Sequence, residues 1–401
     1  MEVPAQSAVT VTLEDYEEGF LAELARLGYA PRSREGQRYL FRHLSRWLAT
    51  RGLALSELSE EVAGQYVAVR GQERSHLRSR RALRPLLGYL RGLGIVPEAE
   101  AAVPATPGHV LLARYAAYLA GERGLAPATV SSYLFQVRPF VVAHADAGRW
   151  SSLSTRQVAS FAAQNAAGLR PRSAQVRASA LRALLGFMWQ EGLTASALAA
   201  AVGSFAAPAG TAPPRGLSPG QVGELQATLR ASGRGGLRNE PMVALMLRLA
   251  LRAGEVAALL LEDIDWRSGV LSVRGKGNRL DQVPLPADVG EPLARYLRQG
   301  RPAGVPHRQV FLALDAPYGP LTAPAVASVA GRALARAGIK GPGAAHRLRH
   351  TAACGVLASG GGFAEAGQLL RHTSPQATAV YAKSDIAALR SIARPWPGAA
   401  R

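Results

Sequence analysis

Between Ala345 and Lys383 the chain carries three of its eight histidines, three arginines beside them, and a tyrosine, Tyr381, nine residues beyond His372. Guanidinium and imidazole donors on one element, with a phenol on another, make a set suited to surrounding a phosphate. The elements that must hold this set are legible. HRLRHTAACGVLA contains no proline, and Leu348, Ala352, Val356 and Leu357 recur near a 3.6-residue period, which predicts a helix. On it His346 and Arg349 lie three apart, a spacing that lets both project from one face. Gly360, Gly361 and Gly362 stop that helix, and a second follows over Ala364–Leu370, ending just before His372. Ser374-Pro375 then starts a third helix, carrying Tyr381, with serine as N-cap and proline at N1.

Two earlier segments offer cations to the same chemistry. In PMVALMLRLALRAGEVAALLLEDIDW, Arg252 stands on what looks like one long apolar helix, among Leu247, Leu249, Leu251 and Val256. A charge in such surroundings needs a partner. Glu255, three residues on, could satisfy it as a buried ion pair, or could brace it while it points at phosphate. Further on, VLSV and DQVPL are short β-like runs flanking RGKGNR, a glycine-containing hairpin turn with Lys276 at its tip. Only three lysines (Lys276, Lys340, Lys383) occur among 47 basic residues. Arginine replaces lysine at most phosphate contacts but cannot release a proton near neutral pH. A lysine kept in such a chain is therefore a candidate for proton chemistry, and Lys276 has the context for it.

A net charge of +19 on 401 residues points to a polyanionic partner, nucleic acid first of all. One cysteine, Cys354, rules out an internal disulfide or a thiolate zinc cluster, and its helical register predicts a buried packing position. No apolar run is long enough for a membrane span, so a soluble cytoplasmic protein is expected. There is no phosphate-cradling glycine motif and no cluster of carboxylates of two-metal nuclease type, so neither cofactor nor metal is expected.

The length suits two or three cores. Residues 1–14 carry no pattern and look like a loose leader. Helical texture runs from Tyr16 to about Ile95 and again from Val110 to about Phe205, separated by VPEAEAAVPATPG. The two stretches look like copies of one unit. GYAP at 28–31 returns as GLAP at 124–127, and ALRPLLGYLRGLGI at 82–95 returns as ALRALLGFMWQEGL at 180–193. Arginines crowd both copies: Arg32, Arg34, Arg38, Arg78 and Arg81 in the first, Arg172 and Arg177 in the second, some of them beside Ser33 and Ser173, which read as helix N-caps. Such placements suit phosphate contacts at helix starts. A Pro/Gly/Ala linker, APAGTAPPRG at 207–216, then leads to Ser218-Pro219, another N-cap and N1 pair. The expected division is 1–100, 106–206 and 216–401.

HRLRHTAA is similar to the H-x-L-R-H-T segment of the tyrosine recombinases, the phage integrase family. LLRHTSPQATAVY resembles that family's L-L-G-H…Y segment, with the same nine-residue step, except that Arg371 stands where the pattern has glycine. LALRAGE resembles its G-L-R-x-x-E segment with Ala250 for the glycine, and Lys276 matches its hairpin lysine. The resemblance covers roughly 215–390, and the second helical copy resembles the family's core-binding domain. It implies a mostly α, multidomain chain: two helical SAM-like, core-binding DNA-binding domains, then a mixed α+β catalytic domain with a small three-stranded sheet. The implied catalytic set is Arg252, Lys276, His346, Arg349, His372 and the nucleophile Tyr381. The implied activity is site-specific cutting and rejoining of double-stranded DNA through a 3′-phosphotyrosyl intermediate, without metal or ATP. The implied assembly is a dimer to tetramer on paired sites, alone or with partner recombinases, with a helical tail at Ser384–Ile392 docked on a neighbour. The rival readings are a non-catalytic DNA-binding regulator that kept the fold, and a topoisomerase or resolvase using the same chemistry. The family usually carries one helical domain, so the first copy is a departure.

Overall fold

The computed structural model describes residues 12–72, 80–98, 106–144, 150–205, 216–275 and 279–371. The chain divides into two compact units, Pro97–Thr211 and the remainder, Met1–Val96 with Ala212–Arg401.

The described residues up to Val96 form four helices, α1 (Glu17–Arg26), α2 (Pro31–Arg51), α3 (Glu60–Gln72) and α4 (Arg80–Gly92). Their core is Phe20, Leu24, Leu40, Phe41, Leu44, Trp47, Leu58, Tyr66, Leu83, Leu86, Leu87 and Leu90. Of the supposed leader, residues 1–11 lie outside the described residues, but Leu13, in a short 3₁₀ turn over Leu13–Tyr16, is 2 % exposed and joins this core. Its apolar side chain gains more by burial than a loose terminus would retain.

The second unit repeats the plan with α5 (Pro107–Gly121), α6 (Pro127–His144), α7 (Thr155–Ala166) and α8 (Pro171–Gln190). Pro31 and Pro127, which end the GYAP and GLAP matches, both open helices at N1. The buried Leu83, Leu86, Leu87 and Leu90 of α4 find counterparts in the buried Leu181, Leu184, Leu185 and Met188 of α8. The serines differ from expectation. Ser33 and Ser173 are third residues of α2 and α8, whose caps are Ala30 and Arg170, because proline at N1 sets the helix start earlier.

The segment from Leu217 has its own core and a mixed order of elements. These are α9 (Pro219–Arg230), α10 (Gly233–Arg248), α11 (Ala253–Ala258), β1 (Ile264–Asp265), β2 (Val270–Arg274), β3 (Leu280–Pro284), α12 (Ala287–Gln299), α13 (Ala323–Arg336), α14 (Ala344–Ala358) and α15 (Phe363–Leu369). Ser218 caps α9, accepting from Gln221 N–H at 3.3 Å while the Gln221 side chain accepts from Ser218 N–H at 3.1 Å. The strands form one antiparallel three-stranded sheet in the order β1-β2-β3, with Leu271 opposite Val283 and Val273 opposite Asp281. Alternation along β2 buries Leu271 and Val273 against α10 to α12 core residues such as Met246, Val256, Val289 and Leu293. The fold is therefore mostly helical with a small sheet, as expected.

Candidate active site

Four of the expected functional positions, Arg78, Lys276, His372 and Tyr381, lie outside the described residues, as do the Ser374-Pro375 start and the Ser384–Ile392 tail. The base of the Lys276 hairpin is described. Gly275 N–H donates to the Arg279 carbonyl at 2.7 Å, and Arg274 Nη1 lies 2.6 Å from the buried Asp263, which also accepts from Leu260 N–H at 2.9 Å. The hairpin is thus clamped to the start of the sheet.

Arg252 does not sit within a long helix. α10 ends at Arg248, and Ala250 adopts a left-handed conformation at φ 52°. Leu251 N–H reaches back six positions to the Leu245 carbonyl at 3.2 Å, closing the turn over the helix end. Arg252 follows in extended conformation as the N-cap of α11. Alanine at the stop hides it from the sequence, since glycine is the usual signal there. The break aims Arg252 outward: its side chain is 39 % exposed, while Glu255 keeps 4 %.

Glu255 is the hub of the site. Its Oε1 accepts from Arg252 Nη1 at 2.6 Å, and its Oε2 accepts from Arg252 N–H at 2.8 Å. Oε2 also accepts from Arg371 Nη2 at 2.7 Å. Burial pushes the Glu255 carboxyl up, but the Arg252 N–H and the two guanidiniums more than offset it and hold it below the usual glutamate range. The carboxylate therefore stays ionised.

Arg349, on α14, is buried, and its Nη1 and Nη2 donate to the carbonyls of Ala250 and Leu370. It thereby joins the turn before Arg252 to the turn that leads to His372. Beneath it Ala250, Ala353 and Leu370 form a small apolar floor packed by Leu357 and Leu369. His346 is exposed, one turn from the half-buried His350, with ring centroids 6.4 Å apart. Burial lowers the His350 pKa, helped by the neighbouring His346 and the Arg349 guanidinium, which favours the neutral ring. Cys354 is half-buried rather than sealed in the core.

Arg371 is the residue the sequence undervalued. It too is left-handed, at φ 50°, yet it carries a full side chain that folds back, 7 % exposed, onto Glu255 and the Leu249 carbonyl at 3.2 Å. Nothing in the local pattern points to a partner 116 positions away.

The arginines of the helical copies fall into two groups. Arg32, Arg81 and Arg172 are exposed, the last donating to Gln175 at 2.9 Å. Arg34 is half-buried. Arg38 pairs with Glu17 at 3.0 Å, beside Arg42, and Arg177 is held by Gln136 at 3.2 Å and by Asn165. No described helix is long and apolar enough to cross a membrane.

Comparison with known proteins places this geometry. The Phage integrase family model matches residues 216–387, and the Phage integrase N-terminal SAM-like domain model matches 112–192. A relative named "Putative integrase/recombinase y4rA" of Sinorhizobium fredii is 36 % identical over 93 % of this chain and 92 % of its own length. Tyrosine recombinase XerD of Corynebacterium glutamicum is 28 % identical over 72 % of this chain and 97 % of its own. Among solved structures, XerH site-specific recombinase bound to palindromic difH substrate has a TM-score of 0.56 at 16 % identity, covering 82 % of this chain and 93 % of that one. A lambda integrase (75–356) dimer bound to a COC′ core site gives 0.52 at 19 %, covering 68 % and 94 %. With a full-length relative at this identity, and with the arginine–glutamate hub in the matched region, the chain belongs to the phage integrase family: it is a tyrosine recombinase.

Proposed function

We propose that this recombinase cuts and rejoins double-stranded DNA at a specific site, with Arg252, Lys276, His346, Arg349, His372 and Tyr381 as its catalytic set. The observation that supports this best is the meeting of Arg349 with the Arg252 turn at the Ala250 carbonyl, directly beside the Leu370 turn that precedes His372. In this reading Tyr381 Oη attacks the phosphorus in line, the bond to the 5′ oxygen breaks, and a 3′-phosphotyrosyl link forms. Charge builds on the non-bridging oxygens, where Arg252 and Arg349 supply forked donors. Lys276 gives a proton to the departing 5′ oxygen, while His346 and His372 donate further hydrogen bonds or move protons. The phosphodiester's energy is retained in the tyrosyl link, so the strand can be rejoined without a nucleotide cofactor.

The helical copies, 1–100 and 106–206, serve as DNA-binding domains ahead of the catalytic domain, 216–401, with Arg32, Arg34, Arg38, Arg78, Arg81, Arg172 and Arg177 as backbone contacts. Three separate hydrophobic cores support that division. Protomers assemble as dimers to tetramers on paired sites, in the cytoplasm with the nucleoid, alone or with partner recombinases. The DNA-bound relatives above support the partner class. A nicked suicide duplex carrying the site tests the reading. Wild type should form a covalent protein–DNA adduct, and Tyr381→Phe should form none. A wild type that binds the site without forming an adduct refutes the enzymatic assignment.

A further inference from the structure

We propose that Arg371 is a positioning residue for strand cleavage, sharing the Glu255 carboxylate with Arg252 so that the Arg252 guanidinium remains available to a phosphate. This rests on the reading of Arg252 and Arg349 as phosphate ligands.

The two arginines on Glu255 are not equivalent. Arg252 is 39 % exposed and Arg371 only 7 %. Arg371 is closed off by its own contacts, with Nη1 at 3.2 Å from both the Leu249 and Leu369 carbonyls and Nη2 at 3.4 Å from the Ala250 carbonyl. It is too enclosed to meet a polymer, so its charge acts through Glu255. With Arg252 alone, the buried carboxylate and the outward guanidinium would form a neutral pair, and the attraction would draw Arg252 inward. With Arg371 present the trio carries one net positive charge, on the side that faces out. The backbone supports the same view. A left-handed residue with a side chain is strained in a way glycine would avoid, and Arg371 holds that conformation at φ 50° while making four polar contacts. Those contacts also tie the end of α15, one residue before His372, to the turn that presents Arg252. Arg371 thus sets both the charge and the spacing between two parts of the site.

Single-turnover cleavage of a nicked suicide duplex, with DNA binding measured separately by anisotropy, tests this on the full chain. Arg371→Met should slow cleavage by about 10- to 100-fold, the range for losing a buried hydrogen bond to a charged group. DNA affinity should stay within about threefold. Arg371→Lys should recover part of the rate, because it restores the charge without the fork. In a Glu255→Gln background, Arg371→Met should cost less than about threefold, since the two changes remove one interaction. The acid limb of the rate–pH profile should move upward in Arg371→Met, because Glu255 loses a cation that keeps it ionised, and a purely structural role would not move it.

Wild-type rates in Arg371→Met, equal losses in both Glu255 backgrounds, or an unmoved acid limb would each overturn the proposal while leaving the catalytic set standing. Should Arg371→Met fail to fold, Arg371→Lys decides: an acid limb and rate identical to wild type refute the positioning role, and a slowed rate that falls away in Glu255→Gln supports it. A wild type without an adduct, or an adduct that survives Tyr381→Phe, strikes the catalytic set itself and this proposal with it.

Discussion

Arg349→Lys keeps a positive charge at the centre of the site and removes only its fork, which makes it a sharp probe of the geometry. Arg349 is 5 % exposed and donates through two nitrogens to carbonyls on separate turns, Ala250 and Leu370. Lysine offers one nitrogen on a different reach and cannot serve both carbonyls, so either Leu370 loses its Arg349 donor or Ala250 is left with only the longer Arg371 contact at 3.4 Å. A buried polar group left unpaired costs about 1–3 kcal/mol. For a cooperative unit of this size each kcal/mol lowers Tm by about 2–4 °C, so a fall of about 2–12 °C is expected. Catalysis should suffer independently, by about 10²- to 10³-fold, the usual effect of removing one donor from a developing oxyanion. Scanning calorimetry and suicide-substrate cleavage measure the two effects on one preparation. Full cleavage with a Tm within about 1 °C of wild type would show that neither carbonyl depends on the fork, and the argument for Arg349 would fail.

Thr351→Val should lower stability by about 1–2 kcal/mol in urea unfolding, because Thr351 Oγ1 accepts from Leu217 N–H at 2.8 Å and donates to the Arg347 carbonyl at 2.8 Å. Stability should also fall with acid in two stages that share a sign. His350 has a lowered folded pKa, so its contribution is complete above the ordinary imidazole value of about 6.5 and declines as pH falls toward the folded value. His350→Gln should flatten that part of a stability–pH curve. Glu255, likewise lowered, contributes fully above the ordinary value of about 4.3 and loses its share as pH falls through its lower folded value. Finally, log K for DNA should drop with log salt by roughly 0.9 per phosphate neutralised, and a flat profile would remove the argument from net charge.

The elements that present the site were largely legible, because each had a local signal. The apolar period gave α14, the triple glycine its end, the Ser218-Pro219 pair the start of α9, and the alternating runs the β2–β3 hairpin. What escaped was non-local or disguised. Ala250 turns left-handed where leucines and alanines on both sides read as continuous helix. The inward aim of Arg349 and the exposure of His346 depend on where α15 packs, which spacing along α14 cannot tell. The Arg371–Glu255 pair spans 116 positions, and sequence alone marked Arg371 only as a departure from glycine.

The Thr351 hydrogen bond has a mechanical side. Leu217 is where the chain arriving from the proline-rich stretch at 207–216 enters its core, and it is fastened there to the helix that bears Arg349. Gly216 runs so close that a Cβ on it would come within 3.2 Å of the Thr351 Cα. A load reaching Leu217 along the chain is therefore delivered at mid-length to the helix holding the guanidinium, without passing through the sheet.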